Sequence, residues 1–110
     1  MSESYIPIIC GKEAAKVKVS DILMIERENR KLHVITQDKA YAYYEKIQNV
    51  EPMLDGRFYP CLKGCYINLD HVTGMANQTI TFDNGTEYNL GKENFIKAKQ
   101  TYVVYLKKIY

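Results

Sequence analysis

The groups in this chain best suited to chemistry are three thiols and two imidazoles: Cys10, Cys61 and Cys65, with His33 and His71. Two of the thiols lie in the stretch "RFYPCLKGCYINLDHV", residues 57–72, around a Leu-Lys-Gly step. Three chemistries come into question there: a disulfide, a metal site and a thiol nucleophile. Pro60 and Gly64 oppose a helix across this stretch. In an extended segment the α-carbons of Cys61 and Cys65 stand roughly 13 Å apart, beyond the roughly 7 Å that a disulfide tolerates. A structural zinc needs about four nitrogen or sulfur ligands, and no close Cys or His pair has the usual finger spacing. Cys61 and His71 lack a recognisable orienting partner, which weighs against a nucleophile pair. The reading is a reduced, buried thiol, since free cysteine is commonly a small hydrophobe. Ser4 and Ser20 sit in no nucleophile elbow, and there is no glycine-rich phosphate loop. Neither an enzyme nor a metal or cofactor site is expected.

What remains of that stretch is structural. From Cys65 onward, Cys65, Ile67 and Leu69 fall on one face of a strand and Tyr66 and Asn68 on the other, so this is expected to be a core strand. The "CLKG" step before it is a loop that displays the cation of Lys63 beside a glycine.

The elements around it follow from periodicity. "YIPIIC" reads as a strand, placed at a sheet edge by Pro7, which cannot donate to a ladder. Val17 and Val19 alternate with lysines, and Ile22 to Ile25 form a β-branched and apolar run. Glu28 to Lys31 supply a polar turn before "LHVIT", which predicts a hairpin, and "QDK" turns into "AYAYY". Ile47, Val50 and Leu54 stand at helical spacing, with Pro52 disturbing the last turn. Asn84-Gly85 predicts a two-residue hairpin turn between Thr79–Phe82 and Glu87–Leu90. Asn94 is placed to cap a final helix whose Phe95, Ala98, Tyr102 and Tyr105 share a side. There is no internal repeat, low-complexity tract or Pro/Gly linker. The expectation is one domain over residues 1–110, with its core at about 5–106.

Charge is unevenly spread. The net charge is +2, but Lys92, Lys97, Lys99, Lys107 and Lys108 face only Glu93, so the end of the chain carries +4 and residues 1–91 carry −2. A local basic face can hold an anionic polymer while the rest stays near neutral. No apolar run approaches the roughly 20 residues of a membrane span, and the N-terminus has no signal-peptide core. A cytoplasmic location is expected, with no membrane contact.

The order of these pieces resembles the LytTR-type DNA-binding domain of bacterial transcription regulators. The resemblance runs from about Tyr5 to the end. It is carried by Ser20-Asp21-Ile22 leading to Ile25-Glu26, by Phe58 through Asn68-Leu69, and by the Asn84-Gly85 hairpin with "GKENF" after it. It implies a mainly β architecture: an elongated antiparallel β fold of small packed sheets with two short helices. It also implies that loops, rather than a recognition helix, enter successive major grooves of double-stranded promoter DNA, with a homodimer on paired repeats as one arrangement. Carried over by position, the contact residues are Asn29, Arg30 and Lys31, then Lys63, then Lys92 and Asn94. Lysine and arginine suit phosphates or guanine edges, and asparagine suits adenine.

The chain departs from the family where the arginine, histidine and serine before the core strand would stand: Leu62, Lys63 and Gly64 follow Pro60, and the later serine-arginine step reads Gly91-Lys92. Lysine keeps the charge and loses the bidentate fork. A receiver domain, which such regulators often carry, does not precede the fold, so the expectation is a stand-alone regulator or part of a longer one. The rival reading is a protein-interaction module on the same scaffold, with Tyr41, Tyr43 and Tyr44 as candidates among ten tyrosines.

Overall fold

A computed structural model describes residues 4–110. Ten strands, β1 (Tyr5–Cys10), β2 (Glu13–Lys18), β3 (Ile22–Glu28), β4 (Lys31–Thr36), β5 (Ala40–Tyr44), β6 (Phe58–Leu62), β7 (Cys65–Asn68), β8 (Val72–Ala76), β9 (Thr79–Phe82) and β10 (Glu87–Asn89), are joined by two α-helices, α1 (Ile47–Val50) and α2 (Lys92–Ile109). The strands form three antiparallel sheets: β1-β2, β5-β4-β3-β7-β6 and β10-β9-β8. The molecule measures 40 × 34 × 25 Å. This is the mainly β arrangement of small packed sheets that the sequence predicts, although α2 is longer than expected, with 18 residues.

The five-stranded sheet is the middle layer. Ile22 to Ile25 of its central strand β3 are all buried, as a strand covered on both faces requires. On one side, Ile6 and Ile8 of β1, Val17 of β2 and Val50 of α1 pack with Ile25 and Val34. On the other, Ile80 and Phe82 of β9 and Phe95, Ala98 and Tyr102 of α2 pack with Met24 and Ile67. Buried residues at positions 95, 98 and 102 are a single helical stripe, which lays α2 against the core along one side.

One backbone path occurs twice, although the sequence has no repeat. Residues 13–36 run strand, one-turn 3-10 segment (Val19–Asp21), strand, two-residue reversal, strand. Residues 65–82 do the same, with Leu69–His71 as the 3-10 segment. Each copy has a register shift just after that segment, between Ile22 and Met24 in one and between Val72 and Gly74 in the other.

Three local expectations are corrected. The loop expected at "CLKG" is where the chain reverses, at Lys63-Gly64, with Gly64 at a φ of +79°, so Cys61 and Cys65 do not share one extended segment. The distance estimate that kept Cys61 and Cys65 apart therefore fails: their sulfurs are 3.6 Å apart across the hairpin. The turn at Asn84-Gly85 takes three residues, Asp83 to Gly85, because Glu87 pairs with Thr81 and the Phe82 amide donates to the Thr86 carbonyl at 2.8 Å. Gly85 there has a φ of +90°, the left-handed residue that closes such a loop. The two-residue reversal lies instead at Asn77-Gln78, with φ of 52° and 63°. Third, α2 begins at Lys92 with Gly91 as its N-cap, so Asn94 lies inside the first turn and is no cap. The short helix expected after "AYAYY" is present over four residues and passes into a 3-10 turn at Pro52, where the disturbance is expected.

Candidate nucleic-acid interface

The tips of two hairpins lie at one end of the central sheet. Strand β3 runs out to Glu28, and Asn29-Arg30 reverse the chain into Lys31. Asn29 takes the left-handed conformation there with a φ of 59°, which asparagine tolerates better than most residues. Strand β7 is antiparallel to β3 with Cys65 opposite Glu26, so the Lys63-Gly64 turn ends up beside the same end of β3. The Arg27 amide donates to the Gly64 carbonyl at 2.7 Å. A methyl group on Gly64 would lie 3.4 Å from Cβ and 3.5 Å from Nε of Arg27, so the arginine lies across the Lys63 turn. Strand β5 brings Tyr44 opposite Lys31, and the Lys31 ammonium sits 5.2 Å from the centre of that ring. An open groove of about 620 Å³ is lined by Arg27, Asn29, Arg30, Tyr44 and Lys46.

Helix α2 packs against β6. Phe95, in its first turns, packs in the cluster that contains Cys61 and Cys65. Farther along, the Tyr102 hydroxyl donates to the Val72 carbonyl at 2.7 Å, and the Tyr105 hydroxyl meets the Asp70 carboxylate at the second 3-10 segment. The strand leading into the helix is tied down nearby: the Tyr88 hydroxyl donates to Glu26 at 2.7 Å, and Gln78 exchanges bonds with Leu90. Gly91 gives the helix no side-chain cap, which leaves the first amides of the turn carrying Lys92 and Asn94 as donors. Among the described residues, Arg30, Lys63 and Lys92 take part in no ion pair. All three are exposed.

The opposite end is locked by polar contacts. His71 Nε2 lies 2.7 Å from the Ser20 carbonyl and Nδ1 lies 2.8 Å from the Asp83 carboxylate, so both ring nitrogens have an acceptor. Burial pulls the His71 pKa down, but the bonds to Ser20 and Asp83 outweigh it and leave it above the ordinary value. Asp83 is held below the usual carboxylate range: burial opposes this, and the bonds from His71 and from Gln37, at 2.6 Å, prevail. Asn68, completely buried, donates to the Ile22 carbonyl at 2.9 Å and accepts from the Asp70 amide at 3.0 Å.

A family model for the LytTr DNA-binding domain matches residues 12–102. The chain belongs to the LytTR family. Among solved structures it is similar to the LytTr DNA-binding domain of a response regulator from Bacillus cereus, at a TM-score of 0.67 and 18% identity, covering 97% of this chain and 96% of that one. At that identity the likeness concerns the fold. No curated protein matches the chain.

LytTR domains are DNA-binding domains of transcription regulators, and in this one the six residues expected from the sequence fall on two adjacent turns and a helix start: Asn29, Arg30 and Lys31 on the β3-β4 turn, Lys63 on the β6-β7 turn, and Lys92 and Asn94 on the first turn of α2. Sequence reasoning missed Arg27 and Lys46, which line the same groove. Arg27 gives no local signal, because its place depends on β3 pairing with β7 some forty positions later. Lys46 precedes a helix only four residues long, too short to mark its own start. Of the tyrosines proposed for a protein interface, Tyr43 is 3% exposed and belongs to the core, while Tyr44 stands out at 72%. Among the described residues, no helix is long and apolar enough to cross a membrane.

Proposed function

We propose that this LytTR domain is a cytoplasmic, non-enzymatic transcription regulator that binds promoter DNA sequence-specifically, inserting its tips into successive major grooves. The β3-β4 turn offers Arg30 and Lys31 as cations and Asn29 as an amide that suits adenine. Lys63 supplies a second point of charge, and Lys92 with the open first turn of α2 supplies a third, where helix amides favour a phosphate. Arg27 and Lys46 add cations to the groove behind the first tip. What supports the reading is a pair of adjacent cationic turns at one end of the central sheet, together with an exposed Lys92 at the start of α2, in a domain of this family. With lysine where family members have arginine, phosphate attraction is kept better than base reading, so moderate specificity is expected. Two copies side by side would read paired repeats.

Selection of bound sequences from random duplexes tests this. The expected result is an enriched motif in two copies separated by whole helical turns, with affinity that falls steeply as salt rises. Absence of any enrichment, with no binding at low salt, would overturn the proposal. Binding to protein alone, insensitive to salt, would favour the rival interaction module.

A further inference from the structure

Cys61 and Cys65 face each other at the base of the turn that carries Lys63. Their sulfurs are 3.6 Å apart and share a hydrogen bond, and Cys61 also lies 3.7 Å from the Cys65 carbonyl. The register shift between Pro60 and Leu62 leaves Cys61 as the extra residue there, with no Cα partner of its own on β7. Both thiols are buried, 3% and 0% exposed, yet only Leu62, Lys63 and Gly64 separate them, and Lys63 is at the surface. A peroxide reaches the sulfurs through local opening of this hairpin end.

We propose that Cys61 and Cys65 are a reversible oxidation site for hydroperoxides, whose disulfide reshapes the Lys63 turn and weakens DNA binding. The second half of this statement rests on the recognition role given to Lys63 above. In the chemistry, a lone pair of the Cys61 thiolate attacks one oxygen of the peroxide. The O–O bond breaks, leaving a sulfenic acid on Cys61 and an alkoxide or hydroxide that takes up the proton Cys61 gave up. The Cys65 sulfur then attacks the Cys61 sulfur, the S–O bond breaks, and hydroxide leaves as water with the Cys65 proton. Two thiols lose two electrons, and one peroxide is reduced to water and an alcohol, or to two waters. The order of attack follows from the pair: the bond from Cys65 holds the Cys61 thiol below its ordinary pKa, whereas the bond to Cys61 and burial push Cys65 up.

Bonding draws the sulfurs from 3.6 Å to about 2 Å and closes a tight ring through Lys63 and Gly64. Closing that gap pulls on the turn between them, where Gly64 has a φ of +79° and its carbonyl accepts from the Arg27 amide. The tip and the Arg27 side chain across it shift together.

The test uses the full chain with Cys10→Ser, which removes the third thiol, treated with hydrogen peroxide and then with a dithiol reductant. Non-reducing peptide mapping should find a Cys61–Cys65 link, the amide resonances of Lys63, Gly64 and Arg27 should move, and affinity for a selected duplex should drop several-fold and recover on reduction. Cys61→Ser should abolish all three responses, and mapping of the wild-type chain decides the link should that variant fail to fold. Thiols that stay free, or that pass to sulfinic acid without a link, would overturn the proposal, as would a link that leaves the resonances and the affinity unchanged. Mapping and resonances need no DNA, so a reduced chain that binds no duplex counts against the recognition role alone.

Discussion

Residues 13–36 and residues 65–82 follow the same path, down to the register shift after each 3-10 segment, and differ at their tips. The first reverses through Asn29-Arg30 into Lys31, beside Arg27 and Tyr44. The second reverses through Asn77-Gln78 into Thr79 and spends its Gln78 side chain on the Leu90 carbonyl, holding the strand that leads to α2. The same backbone device thus presents an exposed cationic tip in one place and a structural contact in the other. What decides is the side chain at the tip and the neighbours that long-range pairing puts next to it.

The two units are joined where their 3-10 segments meet. His71 of one holds the Ser20 carbonyl of the other, and Asn68 holds the Ile22 carbonyl. This clasp lies at the end of β3 away from the Asn29-Arg30 turn.

The strongest blow to this arrangement is struck at the clasp. Replacing Asn68 with alanine removes both of its bonds, strands the buried Ile22 carbonyl and takes the acceptor from the part-buried Asp70 amide. The expected cost is about 2–3 kcal/mol of folding stability, read by chemical denaturation. A loss of only a few tenths would mean the units are held by apolar packing alone.

At the open end, Gly64→Ala places a side chain at a φ of +79°, against Arg27. About 1–2 kcal/mol of stability should be lost, together with affinity for DNA, because the Lys63 turn must find another shape. A variant as stable as the parent would show that the turn is not pinned.

The smallest effect is a pH dependence confined to the clasp. The folded-state pKa of His71 lies above its unfolded value of about 6.5, so its contribution is complete below that pH and fades as pH rises through the folded value. Asp83 works in the opposite sense: its depressed pKa contributes above the unfolded value of about 3.9 and is lost as pH falls through the folded one. Stability should therefore be highest between about pH 4 and pH 6.5 as far as this pair is concerned. Asp83→Asn should flatten the decline above that window, and a decline that persists unchanged would assign it to other groups.

Much of this was legible in the residues. Alternation in β1 and β4, the β-branched run of β3 and the stripe at Phe95, Ala98 and Tyr102 are local patterns, and local patterns survive folding. The tips at Asn29-Arg30 and Lys63 could be found because turn residues and cations coincide there. The Cys61 to Cys65 distance was misjudged because alternation says which face a residue takes and not where a chain reverses; a positive φ at Gly64 decided that. The turn at Asp83–Gly85 went wrong by one residue, since Asn-Gly suits both a two-residue and a three-residue loop, and only the pairing of Glu87 with Thr81 separates them. His71, Asp83, Gln37 and Ser20 come together from four places in the chain, and nothing near any one of them announces the others.

The central claim is that three tips act on one duplex, and the salt dependence of binding tests it most directly. Affinity for a selected duplex should be measured across a salt series for the parent, for each of Arg30→Ala, Lys63→Ala and Lys92→Ala, and for the triple variant. The account predicts that each substitution flattens the logarithmic slope by about 1 where the cation meets a phosphate, and that the triple variant loses the sum. Slopes that match the parent in all three single variants, with the fold intact, would contradict it.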